Sequence, residues 1–128
     1  DTMKRKQFIK GTEQIAQEGA IQIFKIPGAG LEEVIVGVVG TLQFDVFEYR
    51  MKNEYNVDIR MQQLPYEHIR WIENDPDTLN PRDLDLTSDT RCIEDLKGNH
   101  LLLFTTEWSI NWAVQHNSEL RMSEFGNV

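Results

Sequence analysis

This 128-residue sequence predicts an α+β fold, on three observations. Apolar residues recur at helical spacing over residues 2–18 and 42–55, whereas β-branched or alternating runs of strand length stand between and after them. The breaks between these stretches are glycine, proline or asparagine, the residues that punctuate elements. With 40% hydrophobic and 27% charged residues the composition is that of a folded domain. One domain over residues 1–128 is expected, with internal sections 1–65 and 66–128.

The elements follow in order. Asp1 or Thr2 can cap a first helix running to about Glu18, with Phe8, Thr12, Ile15 and Ala16 as its inward row and Gly19 as its stop. Residues 20–26 alternate as a strand. Pro27-Gly28-Ala29-Gly30 is turn chemistry, so residues 33–39 should return beside that strand as a hairpin. Within the β-branched run Val34-Ile35-Val36-Gly37-Val38-Val39, Gly37 marks a bulge or a close backbone approach. Gly40 suggests a backbone conformation closed to other residues, and Thr41 can cap the next helix. In that helix Leu42, Val46, Tyr49 and Asn53 form one row, flanked by Phe44, Phe47 and Met51, a stripe expected to pack on a sheet. Asn56 is a plausible left-handed cap ending it. Val57, Ile59 and Met61 alternate with polar residues, so 57–64 reads as a half-exposed strand closed by Pro65.

The second section opens with a strand over residues 67–73. Residues 74–88, rich in aspartate with Pro76 and Pro81, show no periodicity and read as an acidic surface loop. Asp89 then caps a short helix to Lys97, stopped by Gly98. Residues 101–104 form a buried strand, 108–117 a helix and 121–125 a weak last strand. The extension is thus β-α-β-α-β.

Helix-strand-strand-helix-strand is the ferredoxin-like, split β-α-β pattern without its first strand, with the helices expected on one face of the sheet. That strand normally lies between the third and fourth, so its loss would leave a gap between 33–39 and 57–64. Leu101-Leu102-Leu103-Phe104, apolar on both faces, is the expected filler.

Charge limits the function classes. The net charge is −8, and residues beyond Arg60 carry twelve acids against five bases. A broad nucleic-acid platform and a DNA partner are therefore excluded, since phosphate binding needs clustered Lys and Arg. Two local groups remain for RNA: Lys4, Arg5 and Lys6, and the looser set Arg50, Lys52 and Arg60. The first sits at a helix start, where cations oppose the helix dipole, so helix stability gives no reason for it. Apolar runs are too short to span a bilayer, so no membrane partner is expected. The single Cys92 fits a reducing compartment, and cytoplasm is the expected location. Catalytic patterns are missing: there is no G-x-x-x-x-G-K-[ST] phosphate loop, and His68, His100 and His116 lack metal-ligand spacing. A phosphate-binding turn of the acylphosphatase kind at residues 38–44 fails, because Asp45 stands where an arginine should meet the anion.

Glu18-Gly19-Ala20-Ile21-Gln22-Ile23-Phe24, the run Gly37-Val38-Val39-Gly40-Thr41-Leu42-Gln43-Phe44-Asp45-Val46, and Glu54-Tyr55-Asn56-Val57 together resemble the third domain of the bacterial release factor 3 family of translational GTPases. Ile69-Arg70-Trp71-Ile72-Glu73 is similar too. Gly37, Gly40, Gln43, Phe44, Asp45 and Asn56 carry the motif, and Gln43 with Phe44 separates it from elongation factor G. The resemblance implies a carboxy-terminal domain that binds the ribosome and couples interdomain movement to the ejection of class I release factors. GTP, magnesium and hydrolysis would belong to an amino-terminal domain, leaving no catalytic, cofactor or metal residue here and no GTP affinity in this chain alone. Partners would be the ribosome and the GTPase and second domains of its own longer chain, of which this abrupt, helix-first start suggests an excised piece. The alternatives are a stand-alone ferredoxin-like regulatory or ligand-binding module, or the equivalent domain of a factor like elongation factor G.

Overall fold

Residues 2–125 are described by the computed structural model, and the chain divides into two compact units, one ending at Gln63 and the other beginning at Leu64. The fold is α+β, with three α-helices and six strands among the described residues and antiparallel pairing inside each unit.

The first unit keeps the helix-strand-strand-helix order. Helix α1 (Thr2–Gln17) contains Thr2 itself, while Asp1 lies outside the described residues. Its buried face is Gly11, Thr12 and Ile15, and the Thr12 hydroxyl is satisfied by donating to the carbonyl of Ile9 at 3.0 Å. Strands β1 (Gln22–Lys25) and β2 (Val34–Gly37) form the expected hairpin, with Ile23 opposite Val36 and Phe24 opposite Ile35. Helix α2 (Leu42–Tyr55) follows. The core gathers Ile15, Ile21, Ile23, Phe47, Met51 and Val57, with Phe8, Val36 and Tyr55 packed against it.

Several expectations fail in this unit. Residues 57–64 form no strand; Val57 and Ile59 still turn inward, so their alternation is real, but no neighbouring strand supplies a ladder. The inward row of α2 is Phe47 and Met51, not Leu42, Val46, Tyr49 and Asn53: Leu42 is 72% exposed and Tyr49 67%. Leu42, Val46 and Tyr49 are apolar like Phe47 and Met51 and lie about half a turn from them, so periodicity alone could not choose between the two rows. Gly40 adopts no positive φ, and a Cβ there would meet nothing within 4 Å.

In the second unit β3 (His68–Ile72), β4 (Arg91–Asp95), β5 (His100–Phe104) and β6 (Met122–Ser123) run in the order β4-β5-β3-β6, with helix α3 (Glu107–His116) behind β5. The helix expected at 89–97 is strand β4, so the extension reads β-β-β-α-β, and Cys92 belongs to that strand. Two residues explain the error. Asp89 accepts the hydroxyls of Thr87 at 2.6 Å and Thr105 at 2.7 Å instead of capping helical N–H groups. Gly98, at φ +89°, is the turn residue of a β4–β5 hairpin rather than a helix stop. In that turn the Asp95 carboxylate accepts the N–H groups of Lys97 and Asn99, each at 2.9 Å, the Asn99 amide at 3.0 Å and the Trp71 indole at 3.3 Å. Residues 101–104 are central, but both edges of β5 are taken by β3 and β4, so this strand does not fill a slot between 33–39 and 57–64.

Candidate functional site

The amino-terminal turn of α1 presents Lys4, Arg5 and Lys6, all exposed. Lys4 donates through Nζ to the carbonyl of Asn56, which seats the start of α1 against the carboxy-terminal end of α2. Asn56 holds a left-handed conformation, φ +57° and ψ +41°, and its N–H and that of Val57 both return to the Met51 carbonyl. Arg5 makes a 3.5 Å pair with Glu32 in which both side chains are well exposed, a contact that solvent screens.

Arg50 differs from the other cations. Its guanidinium donates to Glu54 at 2.7 and 2.9 Å and to Glu18 at 2.6 and 3.3 Å. These hydrogen bonds, first from Glu54 and then from Glu18, push its pKa above the ordinary arginine value, and the Arg50 bond in turn lowers the Glu54 carboxyl. One cation between two carboxylates carries a local charge of −1. Arg50 therefore clamps the residue after α1 to α2, and its donors are not turned to a phosphate. Lys52 and Arg60 are exposed. Among the expected RNA contacts, then, the structure keeps five cations on the surface and withdraws one.

The motif residues at the β2–α2 junction have separate structural uses. Gly37 ends β2, and a Cβ there would stand 3.2 Å from the Phe24 ring, so the close approach is to a side chain and no bulge is needed. Thr41 makes no side-chain cap; instead the Gln43 carboxamide reaches back and accepts the Val39 N–H at 3.1 Å. Phe44 is half-buried, while Asp45 is exposed in the first turn, where its charge suits the helix dipole.

Sequence reasoning overlooked Glu18 and Gly11. The first had a visible signal in its partner, since Arg50 and Glu54 stand four residues apart on a helix. Gly11 had none: a glycine inside a helix reads as a weakness, yet here a Cβ would lie 2.7 Å from Met51 Sδ and 2.9 Å from Tyr55 Cγ. It is the point where α1 and α2 come closest to needing no side chain between them.

This helix pair and its motif junction fall within residues 1–114, which match the family described as Class II release factor RF3, C-terminal domain. The chain belongs to that family. It is 41% identical over 122 residues to Peptide chain release factor 3 of Staphylococcus saprophyticus, 42% over 120 residues to that of Symbiobacterium thermophilum, and 41% over 124 residues to that of Listeria welshimeri. These alignments cover 95, 94 and 96% of this chain and 22% of each relative. The chain thus spans about a fifth of the length of the release factors it matches. No α-helix among the described residues is long and apolar enough to cross a membrane.

Proposed function

We propose that this domain docks a translation-termination GTPase on the ribosome and couples its nucleotide state to the release of class I release factors. Family membership supports the termination role. The observation that carries the docking role is the exposed Lys4-Arg5-Lys6 turn, a cluster that opposes its own helix dipole and so has a cost that a phosphate partner offsets. On this reading GTP and magnesium belong to the GTPase domain of the full-length factor, which acts in the cytoplasm. The α1–α2 pair, held by the Arg50 clamp, is a rigid element through which movement of that domain is transmitted.

The test is a charge reversal in the full-length factor. Lys4→Glu, Arg5→Glu and Lys6→Glu together should weaken ribosome binding and flatten its log–log salt dependence by about 2 to 3, given roughly 0.7 to 0.9 per lost phosphate contact. GTP affinity should not change. Unaltered ribosome affinity and salt slope would reject the contact.

A further inference from the structure

The family motif contains apolar residues that the fold does not use. Phe47 and Met51 fill the core, but Val39 is 100% exposed, Leu42 72%, Tyr49 67% and Val46 47%. Leu42, Val46 and Tyr49 share the face of α2 turned away from the core, and Val39 leads into it. A contiguous apolar stripe on the outer face of a helix gains nothing for folding and marks an interaction surface.

Beside the stripe lies an open cleft of about 410 Å³. Tyr49 and Ile59 give its apolar wall, and Asp45, Glu48 and Asp58 with Lys52 stand around it. Three carboxylates against one ammonium give this rim a charge of −2. All three carboxylates are exposed, and none of them is held in an ion pair among the described residues. The clamp around Arg50, at −1, has Arg50 and Glu54 on the same helix and Glu18 just after α1. An RNA backbone brought to this face would be repelled, whereas a protein segment offering an apolar side chain flanked by Lys or Arg would satisfy the stripe, the cleft and the rim together.

We infer that the outer face of α2 docks a cationic protein segment, with Tyr49 and Leu42 as apolar contacts and Asp45, Glu48 and Asp58 as the charged rim. This contact is distinct in sign from the phosphate contact assigned to Lys4, Arg5 and Lys6. Lys4 is bonded to Asn56 at the carboxy-terminal end of α2, and the cleft runs along that helix from Asp45 to Asp58 just beyond the same end, so the basic turn adjoins one end of the cleft. One surface of mixed protein and RNA could meet both. The inference rests on the reading that the domain docks on the ribosome, and it names the protein side of that contact.

The experiment uses the full-length factor and purified ribosomes. Glu48→Lys combined with Asp58→Lys changes only exposed side chains, and an unchanged far-UV spectrum verifies the fold. A cationic protein partner predicts roughly tenfold weaker binding at low salt. An RNA partner predicts tighter binding, and no partner predicts no change; either result overturns the inference while leaving the docking role intact. Independently, a benzophenone side chain in place of Tyr49 should cross-link to a Lys- or Arg-rich protein segment only when ribosomes are present. A cross-link to RNA alone, or one within the factor that forms without ribosomes, overturns it. Failure of the unmodified factor to bind ribosomes overturns the docking role, and this inference with it.

Discussion

Gly11 offers the sharpest test of how the two helices of the first unit are held. Adding one methyl, Gly11→Ala, should on helix propensity alone stabilise the chain by about 1 kcal/mol. The structure opposes this. The new Cβ would stand 2.7 Å from Met51 Sδ, 3.0 Å from Met51 Cε and 2.9 Å from Tyr55 Cγ, against the roughly 3.5 to 4.0 Å of comfortable contact. Met51 ends in a flexible thioether but is fully buried, and Tyr55 presents the root of its ring rather than its tip. Overpacking of this kind costs about 1 to 3 kcal/mol, so the net change should be a loss of about 1 kcal/mol. A double-mutant cycle isolates the clash. Met51→Ala alone should cost about 2 to 5 kcal/mol, but in its background Gly11→Ala should become neutral or stabilising, giving a coupling of about 1 to 2 kcal/mol. Urea titrations followed by far-UV circular dichroism report the helices directly. Tryptophan fluorescence adds a separate reading of the second unit, because Trp71, Trp108 and Trp112 all lie beyond residue 63. Additivity within about 0.5 kcal/mol, or a stabilised single variant, would refute the close approach.

Gly40→Ala should change stability by less than about 0.5 kcal/mol in the same titrations, since Gly40 has an ordinary φ and open space around it; a loss above 1 kcal/mol would mean that the junction is strained after all. Asp95→Ala should cost about 1 to 3 kcal/mol, because it removes the charged acceptor of the Lys97 and Asn99 N–H groups and of the Trp71 indole. Burial raises the Asp95 pKa, but the Asn99, Trp71 and Lys97 hydrogen bonds outweigh it, and Asp89 is lowered by the hydroxyls of Thr87 and Thr105. Both folded-state values lie below the unfolded ones, so their contribution is complete above the ordinary aspartate value of about 3.9. It is lost as the pH falls through the folded values. Acid titration of stability should therefore be shallower in Asp89→Asn and Asp95→Asn, and an unchanged acid limb would contradict the hydrogen-bond assignment.

What could be read from the residues was decided by how many physical causes agreed. The β1–β2 hairpin, α1, α2 and α3 were legible because periodicity and punctuation pointed the same way, with Pro27-Gly28 between the strands and Asn56 after α2. Strand β4 was not, because each of its boundary signals has two meanings. An aspartate before an apolar run can cap a helix or accept two threonine hydroxyls, and a glycine with positive φ can end a helix or turn a hairpin. The decisive partner, strand β5, is remote in energy terms from anything a local window can weigh, although it begins only five residues after β4 ends. Cys92 shows the limit of the damage. It lies on a strand instead of the expected helix, where it packs against the Leu102, Phe104 and Ala113 cluster, and burial raises its thiol pKa, which disfavours the thiolate.

The same ambiguity at α2 bears on function. A helix that serves one purpose shows one apolar face, and the sequence pattern then identifies the core directly. Here two apolar rows compete, Phe47-Met51 and Leu42-Val46-Tyr49, and the chain buries the first. The second row matches the hydrophobicity of a core row yet stays exposed, as expected if it serves the proposed protein contact. A folding argument therefore fails first where the sequence answers to a partner as well as to its own core. Arg50 shows the converse: as a cation near a helix end it looked like a surface contact, but Glu18 and Glu54 consume its donors inside the unit. Sorting the outward row and the inward cation by what they touch changes the picture of the domain. In the docking proposed above, the phosphate contact contracts to the exposed cations in the first turn of α1, and the outer face of α2 is an acidic-rimmed apolar surface.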